Sequence, residues 1–395
     1  MLKKMTPLGK ALEIVLQDAQ SVETEEVNIH ESLNRCLAID IKTDTDVPSF
    51  SKSAMDGFAM KQEDLFKELE MIEHIPAGIA PQKVVQSGQC SRIMTGAMVP
   101  KGADTVIMIE QTETLENGKI KFLKEKSKSN ILYQGEDKKK GDVVLQKGII
   151  INPAHIGIMA NVGAVKVPVH KTVKVGILAT GTELVDPSES ITPPQIRNSN
   201  SYQIQALCHR LGAETNNIGV VEDSPEAILE KIKSLIPDHD IIVFTGGASF
   251  GDFDYSEEVL RELKAEILLE KLAIQPGKPM LYGKLGDKFL FGLSGNPVSS
   301  SIQFELLTKP LINKLMGKSQ ATRIFQLPIS NDMDRKVCER DLFLPVVVDE
   351  NMEVHPLEYH GSAHINAYEN AEALACFPIG KKQLKKGDKV DVRFL

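Results

Sequence analysis

A chain of 395 residues with 42% hydrophobic and 25% charged residues has the make-up of ordinary globular domains, and its length predicts about two to four of them. The 46 Lys and Arg against 54 Asp and Glu leave a net charge of −8, which argues against a general nucleic-acid surface and requires anionic ligands to be met by locally built sites. Five scattered cysteines with no C-x-x-C pair predict neither zinc nor redox work and point to the reducing cytoplasm.

The first sixteen residues mix Lys3, Lys4, Lys10 and Glu13 among apolar ones, unlike a signal peptide, and no apolar run reaches the roughly 18 residues of a membrane helix. Thr6-Pro7 followed by Leu8, Leu12, Val15 and Leu16 predicts a helix capped at Thr6 with proline in its first turn. Residues 1–45 and 141–170 together read as a helical linking and dimerisation region. Between residues 46 and 140, short β-prone stretches cut by Pro and Gly predict a small, mostly β domain. Its lysines from Lys119 to Lys140 alternate with Glu125, Glu136 and Asp137, as on a solvated face.

Residues 171–318 repeat a strand, loop, helix pattern. The apolar runs 173–179, 241–244 and 289–293 each end in a glycine-containing turn, as buried parallel strands do. Ser224-Pro225-Glu226 supplies a cap, a first-turn proline and a first-turn acid to a helix with Ile228, Ile232, Leu235 and Ile236 on one face. This predicts a doubly wound α/β domain. Residues 319–395 return to alternation and turns, predicting a C-terminal β-barrel domain.

Open parallel sheets bind ligands beyond the carboxyl ends of their strands, where helix N-termini offer unpaired N–H groups. Three segments end that way: Thr180-Gly181-Thr182, Thr245-Gly246-Gly247, and Ser294-Gly295-Asn296-Pro297. None is a G-x-G-x-x-G or a Walker loop. Glu183, Asp223 and Asp252 stand beside these loops as candidates for proton transfer or a metal, although Asp223 also reads as a helix cap. Lys271 and Lys278, the latter between Gly277 and Pro279, offer counter-charge. In the β domain, Ser53-Ala54-Met55-Asp56-Gly57 and the turn at Thr95-Gly96 read either as plain turns or as site elements.

Together with 92–110, Gly135-Glu136-Asp137, 177–185, 196–202, 245–255, 276–279, 292–299 and Gly361-Ser362, these segments resemble the molybdopterin molybdotransferase family, which includes the E domain of gephyrin. The resemblance runs over nearly the whole chain. It implies an Mg²⁺-assisted enzyme that takes adenylylated molybdopterin and molybdate, releases AMP and forms molybdenum cofactor. It also implies a homodimer, an upstream molybdopterin adenylyltransferase, and downstream molybdoenzymes or carriers, with neither nucleic acid nor membrane as partner. Carried over, the catalytic positions are Asp56, Thr95, Glu183, Asp223, Asp252, Lys271 and Lys278. The substrate-binding positions are Asp137, Thr180, Gly181, Asn200, Ser201, Gly246, Gly247, Gly295, Asn296, Pro297, Arg340 and Ser362. Gln275 stands where the family often has lysine, Ser294 replaces a proline, Asn198 an aspartate, and Asp341 a common glycine. Two other classes stay open: an adenylyltransferase, against which the extra β domains and the Asp56 and Thr95 motifs argue, and a non-catalytic molybdopterin-binding paralogue. Preference for molybdate over tungstate is open as well.

Overall fold

Three short apolar runs and the more polar Glu214–Val221 strand lie side by side as parallel strands in the computed structural model, which describes residues 5–124, 126–246, 255–318 and 323–395. Across this six-stranded sheet the order is Glu214–Val221, Lys174–Thr180, Ile241–Thr245, Lys288–Leu293, Pro279–Leu285 and Glu266–Lys271. The last two strands run antiparallel to their neighbours. Alternate residues of each strand serve opposite faces, as a period of two requires. Val175, Ile177, Ile241, Val243, Phe289 and Phe291 enter one core with the Asn200–Arg210 and Pro297–Gln303 helices. Leu178, Ile242, Phe244 and Leu290 enter the other, with Pro225–Leu235 and Tyr255–Glu262. Helices on both faces make this a doubly wound sheet, and each fully buried Ile, Leu, Val or Phe contributes about 1.5–3 kcal/mol.

The opening helix differs from its sequence expectation. It spans Leu8–Leu16 and begins after Pro7, without a side-chain cap. Thr6 is extended instead: its N–H donates to the Lys271 carbonyl and its carbonyl accepts from the Ala273 N–H, each at 2.8 Å. Ala11 and Val15 are buried in the α/β core, so the helix packs against the central sheet. Outside that helix, the linking region holds more strand than helix. Thr24–Asn28 pairs with Lys166–His170, Ile41–Lys42 pairs with Val143–Leu145, and a helix at Pro153–Asn161 closes a core around Leu37, Ile151 and Met159.

Glu70–Ile75, Gln89–Ile93, Gly57–Met60 and Thr105–Met108 form a separate four-stranded sheet with its own apolar clusters. At the other end, Asp341–Val348, Ala373–Phe377, Lys389–Phe394 and Phe325–Pro328 line up around Leu344, Val346 and Phe377. Ile274–Gln275, from the α/β unit, adds to the edge of this C-terminal sheet by pairing parallel with Asp341 and Leu342. Among the described residues no helix is long and apolar enough to cross a membrane.

Candidate active site

All four parallel strands end at one cleft of about 940 Å³. Thr180, Asp223, Gly246 and Ser294, each at or just beyond a different strand, all line it. The cleft therefore sits where a doubly wound sheet leaves room, between neighbouring strands whose connections leave in opposite directions. Gly246 closes the gap between two strand ends. Its φ is +96° and a Cβ there would come 1.9 Å from the Thr180 carbonyl oxygen, so only glycine fits. Gly181 and the start of the Pro297–Gln303 helix complete the floor, and Asn200 Nδ2 fixes the third loop by donating to the Gly295 carbonyl at 2.7 Å.

Ser224, rather than Asp223, caps the Pro225–Leu235 helix, accepting from the Ala227 N–H. This frees Asp223 for the cleft. Its Oδ1 is buried without a hydrogen-bond partner among the described residues. Burial pushes the Asp223 carboxyl above the usual range, the nearby Glu183 charge adds to that, and a Thr180 hydrogen bond opposes it. Two carboxylates facing one cleft, one with an unsatisfied oxygen, can share a proton or hold a hard cation.

Of the residues picked out in the sequence, Thr180, Gly181, Glu183, Asn200, Asp223, Gly246, Gly295, Asn296 and Pro297 meet around this cleft. Ser362 adjoins it, its carbonyl accepting from the Val298 N–H at 3.2 Å while the next residue, Ala363, lines the wall. Lys271 lies opposite Pro279, a wall residue, and the Lys278 carbonyl accepts from Leu272 N–H at 2.8 Å. Both lysines thus stand at one end of the same ladder. Arg340 lies nearby, its guanidinium reaching the Ile274 carbonyl.

Others fall elsewhere. Ser201 is fully buried behind the cleft, bonded through both its hydroxyl and its N–H to Asn198. Asp137 borders a second pocket of about 380 Å³ together with Asp46, Pro48 and Lys52. Asp56 and Thr95 pair with each other on the N-terminal sheet, away from the lining of the cleft. Asp252 and Gly247 lie outside the described residues. Sequence reasoning missed Ile196, Arg197, Pro279, Ala363 and Ile365 as wall residues. Ile196 and Arg197 reach the cleft only because they pair with Leu184 and Val185, a contact that residue type does not announce.

Comparison with known proteins covers the same territory. Residues 6–163 match the MoeA N-terminal region (domain I and II), residues 176–314 a probable molybdopterin binding domain, and residues 335–395 the MoeA C-terminal region (domain IV). A molybdopterin molybdenumtransferase of Staphylococcus epidermidis is 37% identical over 402 residues, covering 99% of this chain and 96% of the relative. One from Staphylococcus aureus is 35% identical over 400 residues, covering 98% and 94%. The crystal structure of the molybdopterin biosynthesis moeA protein from Pyrococcus horikoshii superposes with a TM-score of 0.86 at 31% identity, covering 99% of this chain and 100% of that one.

Proposed function

We propose that this chain, which belongs to the molybdopterin molybdenumtransferase family, inserts molybdenum from molybdate into adenylylated molybdopterin and releases AMP. The observation that carries this reading is the cleft itself: three glycine-bearing loops at the ends of parallel strands, with Asp223 and Glu183 between them. Gly181, Gly246 and Gly295 let the backbone come close to phosphate oxygens, and the Pro297–Gln303 helix, together with the Thr180 hydroxyl, adds donors. Lys271 and Lys278 supply positive charge at the rim for an oxyanion.

The donor set also fits Mg²⁺, because the orphaned Asp223 oxygen and Glu183 are hard carboxylate ligands. Bound there, the ion would neutralise phosphate charge as AMP departs. Asp223, with Asp252, is read as serving the AMP-releasing step. Asp56 and Thr95 are read as completing the cleft of a second copy in a homodimer. The chain then works in the cytoplasm, between a molybdopterin adenylyltransferase upstream and molybdoenzymes or carriers downstream. The adenylyltransferase alternative is disfavoured because relatives named molybdenumtransferase match along the whole chain, β domains included.

The test is direct. Purified chain, adenylylated molybdopterin and molybdate should give AMP and active cofactor, and Asp252→Asn should lose turnover with the fold and most nucleotide binding kept. Cofactor formation that proceeds equally well without the chain, or an Asp252→Asn variant with normal AMP release, rejects the function or that residue's role respectively.

A further inference from the structure

We infer that Gln303 is a positioning residue that holds the Lys278 loop against the 294–297 loop, so that oxyanion binding at the cleft depends on one buried amide. The inference rests on the reading of Lys278 as an oxyanion ligand.

Gln303 is fully buried at the end of the Pro297–Gln303 helix, between Ile302 and Phe304, which are also fully buried. A polar side chain among such neighbours is costly unless every donor and acceptor is met. Here they are. Oε1 accepts from the Ser294 N–H at 2.8 Å, and Nε2 donates to the Gly277 carbonyl at 2.9 Å and the Pro279 carbonyl at 2.6 Å. A carboxamide has two N–H donors and one oxygen, so the group is matched to its three partners. The reverse orientation would set oxygen against two carbonyls, so the partners fix which way the amide points.

Those partners belong to two different walls. Gly277 and Pro279 flank Lys278 in the chain, and Pro279 lines the cleft. Ser294 begins the Ser294-Gly295-Asn296-Pro297 loop on the other side, and all four of its residues line the cleft. The backbone of Lys278 is thus gripped from both directions, by Gln303 on its two neighbours and by Leu272 N–H on its own carbonyl. Gly277 has φ +101°, and a Cβ there would come 3.2 Å from Gln303 Cγ, so the loop lies hard against this side chain.

The helix that carries Gln303 is itself anchored. It continues into a π-helical turn at Phe304–Thr308, where Glu305 is bonded by Arg210 and by Lys309 at 2.6 Å. Such turns occur mostly as single-turn bulges inside α-helices, frequently at functional sites. A fully satisfied buried polar group specifies one arrangement of its partners.

The test is a double-mutant cycle on the full chain, with molybdate and AMP as the probe ligands. Lys278→Ala identifies which of the two loses affinity, by roughly ten- to hundredfold. Gln303→Met, which keeps the bulk and removes all three bonds, should weaken the same ligand by roughly tenfold with kcat far less affected, and the double variant should be no weaker than Lys278→Ala alone. Additive losses in the double variant, or an unchanged ligand affinity in Gln303→Met, overturn the inference while leaving Lys278 as a ligand. An unchanged Lys278→Ala removes the reading of Lys278, and this inference with it. If Gln303→Met does not fold, Gln303→Asn carries the same cycle, since it keeps a buried neutral amide and is one methylene too short to reach Ser294, Gly277 and Pro279 together.

Discussion

Thr95 donates twice to a single carboxylate oxygen: its N–H lies 2.6 Å and its hydroxyl 2.7 Å from Asp56 Oδ1. The Thr95 N–H, then its hydroxyl, and more weakly the Arg92 charge, hold Asp56 below the usual carboxylate range. Because the pair joins the Lys52–Ser53 to Gly57–Met60 turn to the end of Gln89–Ile93, it orders two neighbouring turns and keeps an exposed acid ionised.

A titration follows from this. Asp56 should remain charged to a lower pH than a free aspartate, and Thr95→Val, which loses the hydroxyl but keeps the N–H, should raise its midpoint partway back. Since the folded value is depressed, any stability the pair contributes is present above the unfolded carboxyl value and is lost as pH falls through the folded one. Carboxyl NMR titration of the two proteins checks it; identical midpoints would remove the hydroxyl as a cause.

Asp223 has the opposite sign. Burial and Glu183 raise its folded value, so ionising it opposes folding: the penalty is absent below the unfolded value and fully developed above the folded one. Asp223→Asn should therefore raise the melting temperature at neutral pH, with a gain that fades in acid, and should abolish AMP release. Thermal melts across that pH range decide it. A variant less stable at neutral pH would mean that the carboxylate is stabilised there by a bond that the amide cannot replace.

Gly246→Ala forces a Cβ to within 1.9 Å of the Thr180 carbonyl at a φ of +96°. Strain at such positions is worth about 1–3 kcal/mol, and the clash adds to it, so two strand ends must separate. The expected result is a clear loss of stability by denaturant melting together with loss of nucleotide binding. Gly212→Ala has φ +83° but open space around it, so it is the control for backbone strain without the clash.

The α/β sheet was legible in the sequence because its strands are buried on both faces, so that 241–244 and 289–293 read as unbroken apolar runs, and because Ser224-Pro225-Glu226 marks a helix start unambiguously. The glycine-bearing loops were legible for the same reason: position after a buried strand implies position at the sheet's carboxyl edge. What stayed hidden depends on distant pairing. Thr6 has the composition of a cap, yet its backbone pairs with 271–273, and that tertiary ladder outweighs a local preference worth about 1 kcal/mol. Gln303 carries no motif. Its one signal is a lone amide between Ile302 and Phe304, which becomes informative only once that helix face is known to be buried. Asp56 and Thr95 were picked out by their turn chemistry and then by resemblance, Asp137 by resemblance alone, and the single chain sets all three apart from the cleft.

That separation motivates a test of a site shared between two copies. Asp56 and Thr95 lie on the Gly57–Met60 sheet, Asp223 and Glu183 on the Lys174–Thr180 sheet, and the two sheets are joined through the region around Leu37, Ile151 and Met159. Two-fold pairing is the commonest symmetry of oligomers, and it can bring the first group of one protomer to the cleft of its partner. Asp56→Asn and Asp223→Asn should each be inactive alone. Mixed under subunit exchange with random pairing, about half of the dimers carry one chain of each kind. If the site forms in trans, one site of such a dimer holds both lesions and the other holds neither, so activity should recover to roughly a quarter of wild type. If each site is built within one chain, every site keeps a lesion. A mixture as inactive as its parents, with heterodimers confirmed by mass, would then place Asp56 and Asp223 in the same protomer's site or outside any shared one.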